Sequence, residues 1–261
     1  MGRIVYQLVG RGKIPAIIIY VREKTSSEST KAQRQGATDP TGSRILDVAE
    51  RLVQTRGFNG FSYADIAAEV GITKASLHYH FATKAELGRT LVVRYTDAFT
   101  AALHKITATV PAAAERLRAY VKLYNDVLRK ERMCLCGMVA AEYGTLPTPM
   151  QAALRVFFDL NEGWVAALLD EGQREGSFGL RAPPAEAARM LVGALEGEML
   201  VASAYADPGR FASSAELLVA QLEDGADGRA EAALPRAARR RGVRAAPPRE
   251  SGSAARRAAT R

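Results

Sequence analysis

The stretch "ITKASLHYHFATKAEL", Ile72 to Leu87, concentrates groups that bind anions and lean on flat surfaces. Phosphates flank the major groove of DNA, and the base edges lie on its floor. An element entering that groove needs small residues for close approach, hydroxyls and cations for phosphates, and rings for sugars or thymine methyls. Thr73 and Lys74 open the segment, Ala75 and Ser76 are small, and His78, Tyr79 and His80 follow. Thr83 and Lys84 then start another helix, whose N–H groups can take a further phosphate. A cation at that end of a helix is unfavourable unless an anion is bound beside it, which makes Lys84 a candidate phosphate contact. The plainer alternatives are that Tyr79 packs partly against the first helix of the domain, that His80 caps the helix that follows it, and that Lys84 is simply solvated. Leu77, Phe81 and Leu87 read as core.

Three helices are needed to hold this segment. "SRILDVAERLVQTRG" places Ile45, Leu46, Ala49, Leu52 and Val53 on one face at helical spacing, with Thr41 or Ser43 available as a cap and Gly57 as the stop. In "FSYADIAAEVG", Ser62 precedes Asp65 by three residues, the pattern of a capping box, and Ile66, Ala67 and Val70 form the apolar face. Gly71 permits a sharp turn into a short helix from Thr73 through His80. Two short helices joined by a glycine turn make a helix-turn-helix. The helix opening at Thr83 runs on through "LGRTLVVRYTDAFTAALHKI". Further helices are expected at about 111–130, 134–145, 149–175, 184–206 and 209–222, with prolines between or at the starts of them.

The block "GFNGFSYADIAAEVGITKASLHYHFATKAEL" resembles the DNA-binding half of the TetR family of transcriptional regulators. The Gly-Phe after the first helix, the Ile-Ala-x-x-x-Gly of the second, the L-x-Y-H-F block and the following x-x-K-x-x-L carry the resemblance. It implies an all-α fold: an N-terminal three-helix helix-turn-helix domain and a C-terminal helical domain for ligand binding and dimerisation. It also implies DNA contacts at Ser62, Tyr63, Thr73, Lys74, Ser76, His78, Tyr79, His80 and Lys84. Two positions depart from the family: His78 stands where tyrosine is usual, and Ala75 where glycine is frequent. Histidine changes charge near neutral pH, so operator affinity is expected to depend on pH.

In such proteins the later helices form an effector pocket and a dimer interface. "ARMLVGALEGEMLVASAYA" carries Gly193, Ala194 and Gly197 among large apolar residues, and with "FASSAELLVAQL" it reads as half of a four-helix dimer contact. Pocket candidates are Tyr120, Tyr124, Met138, Phe157, Phe158, Asn161 and Trp164, with Glu142 as a polar anchor; each could equally be plain core. "CLCGMVAAE" resembles a helix of family members in which the matching cysteine can be a reactive thiol. Cys134 is therefore a candidate sensor, against the reading of a small buried hydrophobe. The stripe Tyr95, Phe99, Leu103 on the long helix is expected to face the pocket and to carry its signal to DNA.

The chain of 261 residues is divided accordingly: 1–40 an extension without order, 41–90 the DNA-binding domain, 91–223 the effector and dimerisation domain, and 224–261 a disordered basic tail. Residues 1–40 carry seven Lys/Arg against three acids, and 224–261 carry ten Arg against four. The net +8 therefore belongs to the two ends, and 41–223 is slightly acidic. "IPAIIIYV" is too short to cross a bilayer, and Val21 is a candidate translation start, which would leave 1–20 out of the natural protein. Cys134 and Cys136 project from different sides of a helix, so no disulfide is expected and a reducing, cytoplasmic setting is. The sequence holds no nucleophile elbow, phosphate loop, metal-ligand cluster or paired carboxylates, so neither an enzyme nor a cofactor or metal is expected. The expected partners are double-stranded operator DNA, a small-molecule effector and a second copy through the last two helices, with no membrane. The alternative is an effector-independent or architectural DNA-binding protein.

Overall fold

A computed structural model describes residues 5–9, 17–21 and 40–233. Two short segments rich in strand formers, β1 (Val5–Val9) and β2 (Ile17–Val21), pair antiparallel, Val5 opposite Val21 and Val9 opposite Ile17. Both lie in the segment 1–40, expected as a disordered or mis-annotated extension. The remainder of the described chain is all-α.

Helix α1 (Pro40–Arg56) buries Ile45, Leu46, Ala49, Leu52 and Val53, the face its spacing anticipates. Gly57 ends it at φ 80°, a left-handed conformation that favours glycine. Helix α2 (Tyr63–Val70) starts in a full capping box: Asp65 N–H donates to Ser62 Oγ, and Ser62 N–H donates to Asp65 Oδ2 at 2.7 Å. Gly71, at φ 75°, gives its N–H to Ala67 O and turns the chain into α3 (Lys74–His80), capped by Thr73. Helix α4 (Lys84–Thr109), capped by Thr83, is 26 residues long, or about 39 Å at 1.5 Å per residue. It leaves the DNA-reading unit and becomes a wall of the body.

The body is α5 (Ala113–Leu128), α6 (Leu135–Ala141), α7 (Thr148–Glu175), α8 (Pro184–Ala204) and α9 (Pro208–Ala233). The helix expected over 134–145 stops at Ala141 and yields to a 3₁₀ turn, Tyr143–Thr145, because Gly144 and then Pro147 disfavour its continuation. The last helix passes its expected end at 222 and reaches Ala233, into the stretch expected as a disordered basic tail from 224. Alanine-rich sequence there sustains a helix without needing a core. Residues 234–261 lie outside the described residues. Rings of Phe99, Tyr120, Tyr124, Phe157 and Phe211 meet at the centre of the body. Among the described residues no helix is long and apolar enough to cross a membrane.

Candidate nucleic-acid interface and effector cavity

Helix α3 anchors itself by one side chain. Leu77 is fully buried, while Thr73, Lys74, Ala75, His78 and Tyr79 are exposed. Thr73 Oγ1 accepts the Ser76 N–H at 3.1 Å, which fixes the first turn. Tyr79 is 87% exposed and, among the described residues, meets another ring only at the edge of His80. Such exposure of a large ring is what a contact surface looks like, and it sets aside the reading of Tyr79 as packed on α1. Among the described residues no hydrogen bond or ion pair holds the Lys74 ammonium, which is exposed. Ser76 and His80 are half-buried.

Tyr63 and His78 brace one another. The Tyr63 hydroxyl donates to Phe81 O at 3.0 Å, its ring lies 4.8 Å from that of His78, and His78 Nδ1–H donates to Ala82 O at 3.1 Å. Burial, and then the Glu86 carboxylate, push the Tyr63 phenol well above its ordinary range, so it stays a neutral donor. Tyr63 thereby ties the start of α2 to the end of α3. Ser62 is exposed, but its hydroxyl is engaged with Asp65.

Lys84, expected as a phosphate contact, is engaged within the free chain. Its ammonium is half-buried, donates to Phe61 O, and sits over the rings of Phe58 and Phe61 at 4.8 and 4.3 Å. Burial lowers its pKa, and the charges of Glu142 and Asp65 act against that shift. The partner that relieves the unfavourable helix end is the protein itself. Lys84 fixes the loop between α1 and α2.

Glu142 lies at the same junction, away from the interior of the body. Its carboxylate accepts the Asn59 N–H at 3.1 and 3.3 Å, and Asn59 Nδ2 donates to Thr145 Oγ1 at 2.8 Å. At Gly57, whose positive φ favours glycine, an added Cβ would lie 2.6 Å from Glu142 Oε1 and would displace that carboxylate. Met133 N–H donates to Gln54 O at 3.1 Å on the same side. The segment 133–145 thus clasps the DNA-reading unit from the body, a second connection beside α4.

The body encloses a cavity of about 450 Å³. Tyr95, Ala98, Phe99 and Ala102 of α4 form one wall, Leu123, Tyr124 and Val127 of α5 another, with Cys134 and Met199 completing it. Glu50 of α1 and Arg94 stand at the mouth, where Arg94 donates to Glu50 Oε2 at 2.8 Å and to Asp47 Oδ1 at 2.7 Å. Of the residues chosen from sequence, Tyr124 and Cys134 line this space and the others do not. Tyr120 is enclosed in a ring of bonds, its hydroxyl 2.9 Å from both Tyr124 Oη and Asn161 Oδ1, while Asn161 Nδ2 donates back to Tyr124 Oη at 2.9 Å. Phe157 is core, Phe158 and Met138 pack partly buried against it, and Trp164 Nε1–H donates to Thr107 Oγ1. Tyr95 and Phe99 face the cavity as their stripe implies, but Leu103 is core and Ala102 takes the place assigned to it.

Cys134 and Cys136 are buried free thiols. Burial, then the Glu196 charge, push the Cys134 thiol well above its ordinary range, which disfavours the thiolate. Sequence reasoning missed Glu196. Its signal was an acid at i+4 from Val192 and three before Met199, on an otherwise apolar helix face.

A short α2, a tight glycine turn and an outward α3, mounted on a long helix that becomes a wall of a separate helical body, define a DNA-binding transcriptional regulator. The chain belongs to the tetR family of bacterial regulatory proteins. The family model of that description matches residues 45–89, and one described as "Tetracyclin repressor-like, C-terminal domain" matches 113–218. A TetR-family regulator from Agrobacterium tumefaciens shares 28% identity at a TM-score of 0.68, covering 73% of this chain and 99% of that one. A second, from Legionella pneumophila, shares 29% at 0.65, covering 70% and 98%. The transcriptional activator FasR of Mycolicibacterium smegmatis is 24% identical over 136 residues, 47% of this chain and 62% of its own length. The regulator AcuR of Cereibacter sphaeroides is 26% identical over 129 residues, 47% of this chain and 58% of its own. The chain thus spans about three fifths of the curated relatives it matches.

Proposed function

We propose that this protein is a homodimeric repressor that leaves its operator when a small molecule fills the cavity. The observation that carries this reading is where the cavity walls come from. Glu50 belongs to α1 of the DNA-reading unit, Arg94 to α4, and Cys134 to the segment that clasps Asn59. A ligand in this space bears on each structure that orients α3. Such a ligand releases DNA only by binding the non-operator arrangement better, and a few kcal/mol of difference moves most of the population.

In this reading α3 enters the major groove. Lys74, Ser76 and Tyr79 meet DNA, with Thr73, His78 and His80 beside them and Ser62 and Tyr63 at the flank; Lys84 acts from within by fixing Phe61. The dimer face is the outer side of α8 and α9, where Met190, Leu200, Val201 and Leu217 are exposed and where a Cβ at Gly193 or Gly197 would meet nothing of this chain. Two copies joined there would set their α3 helices about one DNA turn, roughly 34 Å, apart. The protein would act in the cytoplasm, where its operator is.

The test is selection of bound fragments from genomic DNA, followed by operator titration with and without a metabolite panel and by the mass of the free protein in solution. A two-fold-symmetric site, a dimer mass and loss of binding with one metabolite are expected. A monomer that binds without symmetry, or binding that no metabolite changes, sinks the reading and favours an effector-independent protein. One relative is named an activator, so a reporter behind the selected site decides the sign of regulation.

A further inference from the structure

Three buried side-chain oxygens have no hydrogen-bond partner among the described residues, on Gln54, Asn125 and Glu196, and of these residues only Glu196 can carry charge. Buried polar atoms are normally paired, because leaving one unpaired costs its full desolvation. An orphan carboxyl oxygen therefore points to something the free protein does not contain.

The carboxyl lies directly behind the cavity surface. Cys134, whose thiol interacts with it, lines the cavity, and so does Met199, one turn further along α8. The titratable groups facing it are Tyr95 from α4, Tyr120 and Tyr124 from α5, and Cys134 and Cys136 from the α6 segment. None of them is a cation. In front of it the cavity is walled by the rings of Tyr95, Phe99 and Tyr124, whose faces are electron-rich. At the mouth, the one guanidinium is already shared by Asp47 and Glu50, so the opening carries excess negative charge.

We propose that the cavity takes a lipophilic cation. This is an amine or quaternary ammonium with an apolar body, its charge among the rings of Tyr95, Phe99 and Tyr124 and its counter-charge the Glu196 carboxylate behind Cys134. Ring faces attract a desolvated cation, and a carboxylate in the same low-dielectric wall adds a charge that water screens little. The site rests on the effector reading of the cavity. Burial raises Glu196 to about 7, so near neutral pH much of it is protonated while the site is empty. An arriving cation stabilises the ionised form, and the proton leaves to solvent.

Titration of the full chain with benzyltrimethylammonium, its neutral carbon isostere neopentylbenzene, and phenylacetate tests this, with protein fluorescence as the readout. The cation should bind at least about tenfold more tightly than the isostere, and phenylacetate most weakly. Glu196→Gln should close the gap between cation and isostere. In the unaltered chain, affinity for the cation alone should rise from about pH 6 to about pH 8, with proton release; this arm holds even if the variant fails to fold. A cation that binds no better than its isostere, a gap that survives Glu196→Gln in a folded variant, or a flat pH profile overturns the proposal. Operator affinity is measured separately. Cation binding that leaves DNA affinity unchanged keeps the cation site and removes the effector reading.

Discussion

Helix α3 and the body handle polar groups in opposite ways. On α3, Lys74 and Tyr79 reach outward without internal partners that hold their polar ends, and one leucine anchors the element. In the body, Tyr120, Tyr124 and Asn161 close a ring of three hydrogen bonds that are each 2.9 Å long. The lesson concerns where to look for binding. On the surface, an unengaged group is cheap because water serves it, so many such groups are needed before they mean anything. In the interior an unengaged group is costly, so the single Glu196 oxygen carries more information than the satisfied tyrosines. Polarity alone is a poor guide to a site; polarity without a partner, weighed against burial, is a better one.

That contrast can be broken, and the largest effect should come from the body. Glu196 titrates at about 7 in the folded chain against 4.5 unfolded, so between these values the folded state binds more protons. Stability contributed by the neutral acid is complete below the unfolded value and is lost as pH rises through the folded one, by about 3 kcal/mol in all. Glu196→Gln should remove most of this slope in denaturant unfolding measured across that window. An identical slope in the variant would mean that the carboxyl is well solvated.

Asn161→Ala should cost about 2 to 3 kcal/mol, because it leaves two buried hydroxyls short of partners and opens a small void. Urea unfolding measures it. Operator affinity per folded molecule should change little, and a large loss would place the tyrosine ring on the signalling route.

Lys84 sits between the two regimes. Its replacement by alanine should destabilise the DNA-reading unit by about 1 to 2 kcal/mol, through the lost Phe61 bond and ring contacts. Since the ammonium is internally engaged, the salt dependence of DNA binding should keep its slope. A fall of about one unit in slope per subunit would instead show a released phosphate contact.

The smallest effect on stability, close to zero, is expected for Lys74→Ala. There the slope of affinity against salt should drop by about one per half-site, with thermal melting unmoved. If Lys84 and Lys74 behave alike in both measurements, the division between open and engaged polar groups fails at this interface.

The sequence by itself determined the order of the helices and most of their stops, though not the ends at Ala141 and Ala233. Spacing at three and four residues marked the α1 face, the Ser62–Asp65 pair and Gly71 marked the turn, and the prolines marked the breaks, because these signals act within one or two helical turns. It also made the exposed face of α3 legible, since a single buried leucine leaves the rest of a short helix facing outward. Only the tertiary structure decided which polar groups were already taken. Lys84 meets a carbonyl 23 residues earlier and Glu142 an amide 83 residues earlier, and no local pattern encodes such pairs. The cavity was hidden for the same reason. Its walls come from α1, α4, α5, α8 and the start of the α6 segment, and a gap among separate elements is a property of how they pack. Leu103 and Ala102 show the limit at its sharpest: one position along α4 separates a core residue from a cavity wall, a rotation of about 100° that only the neighbouring helices fix.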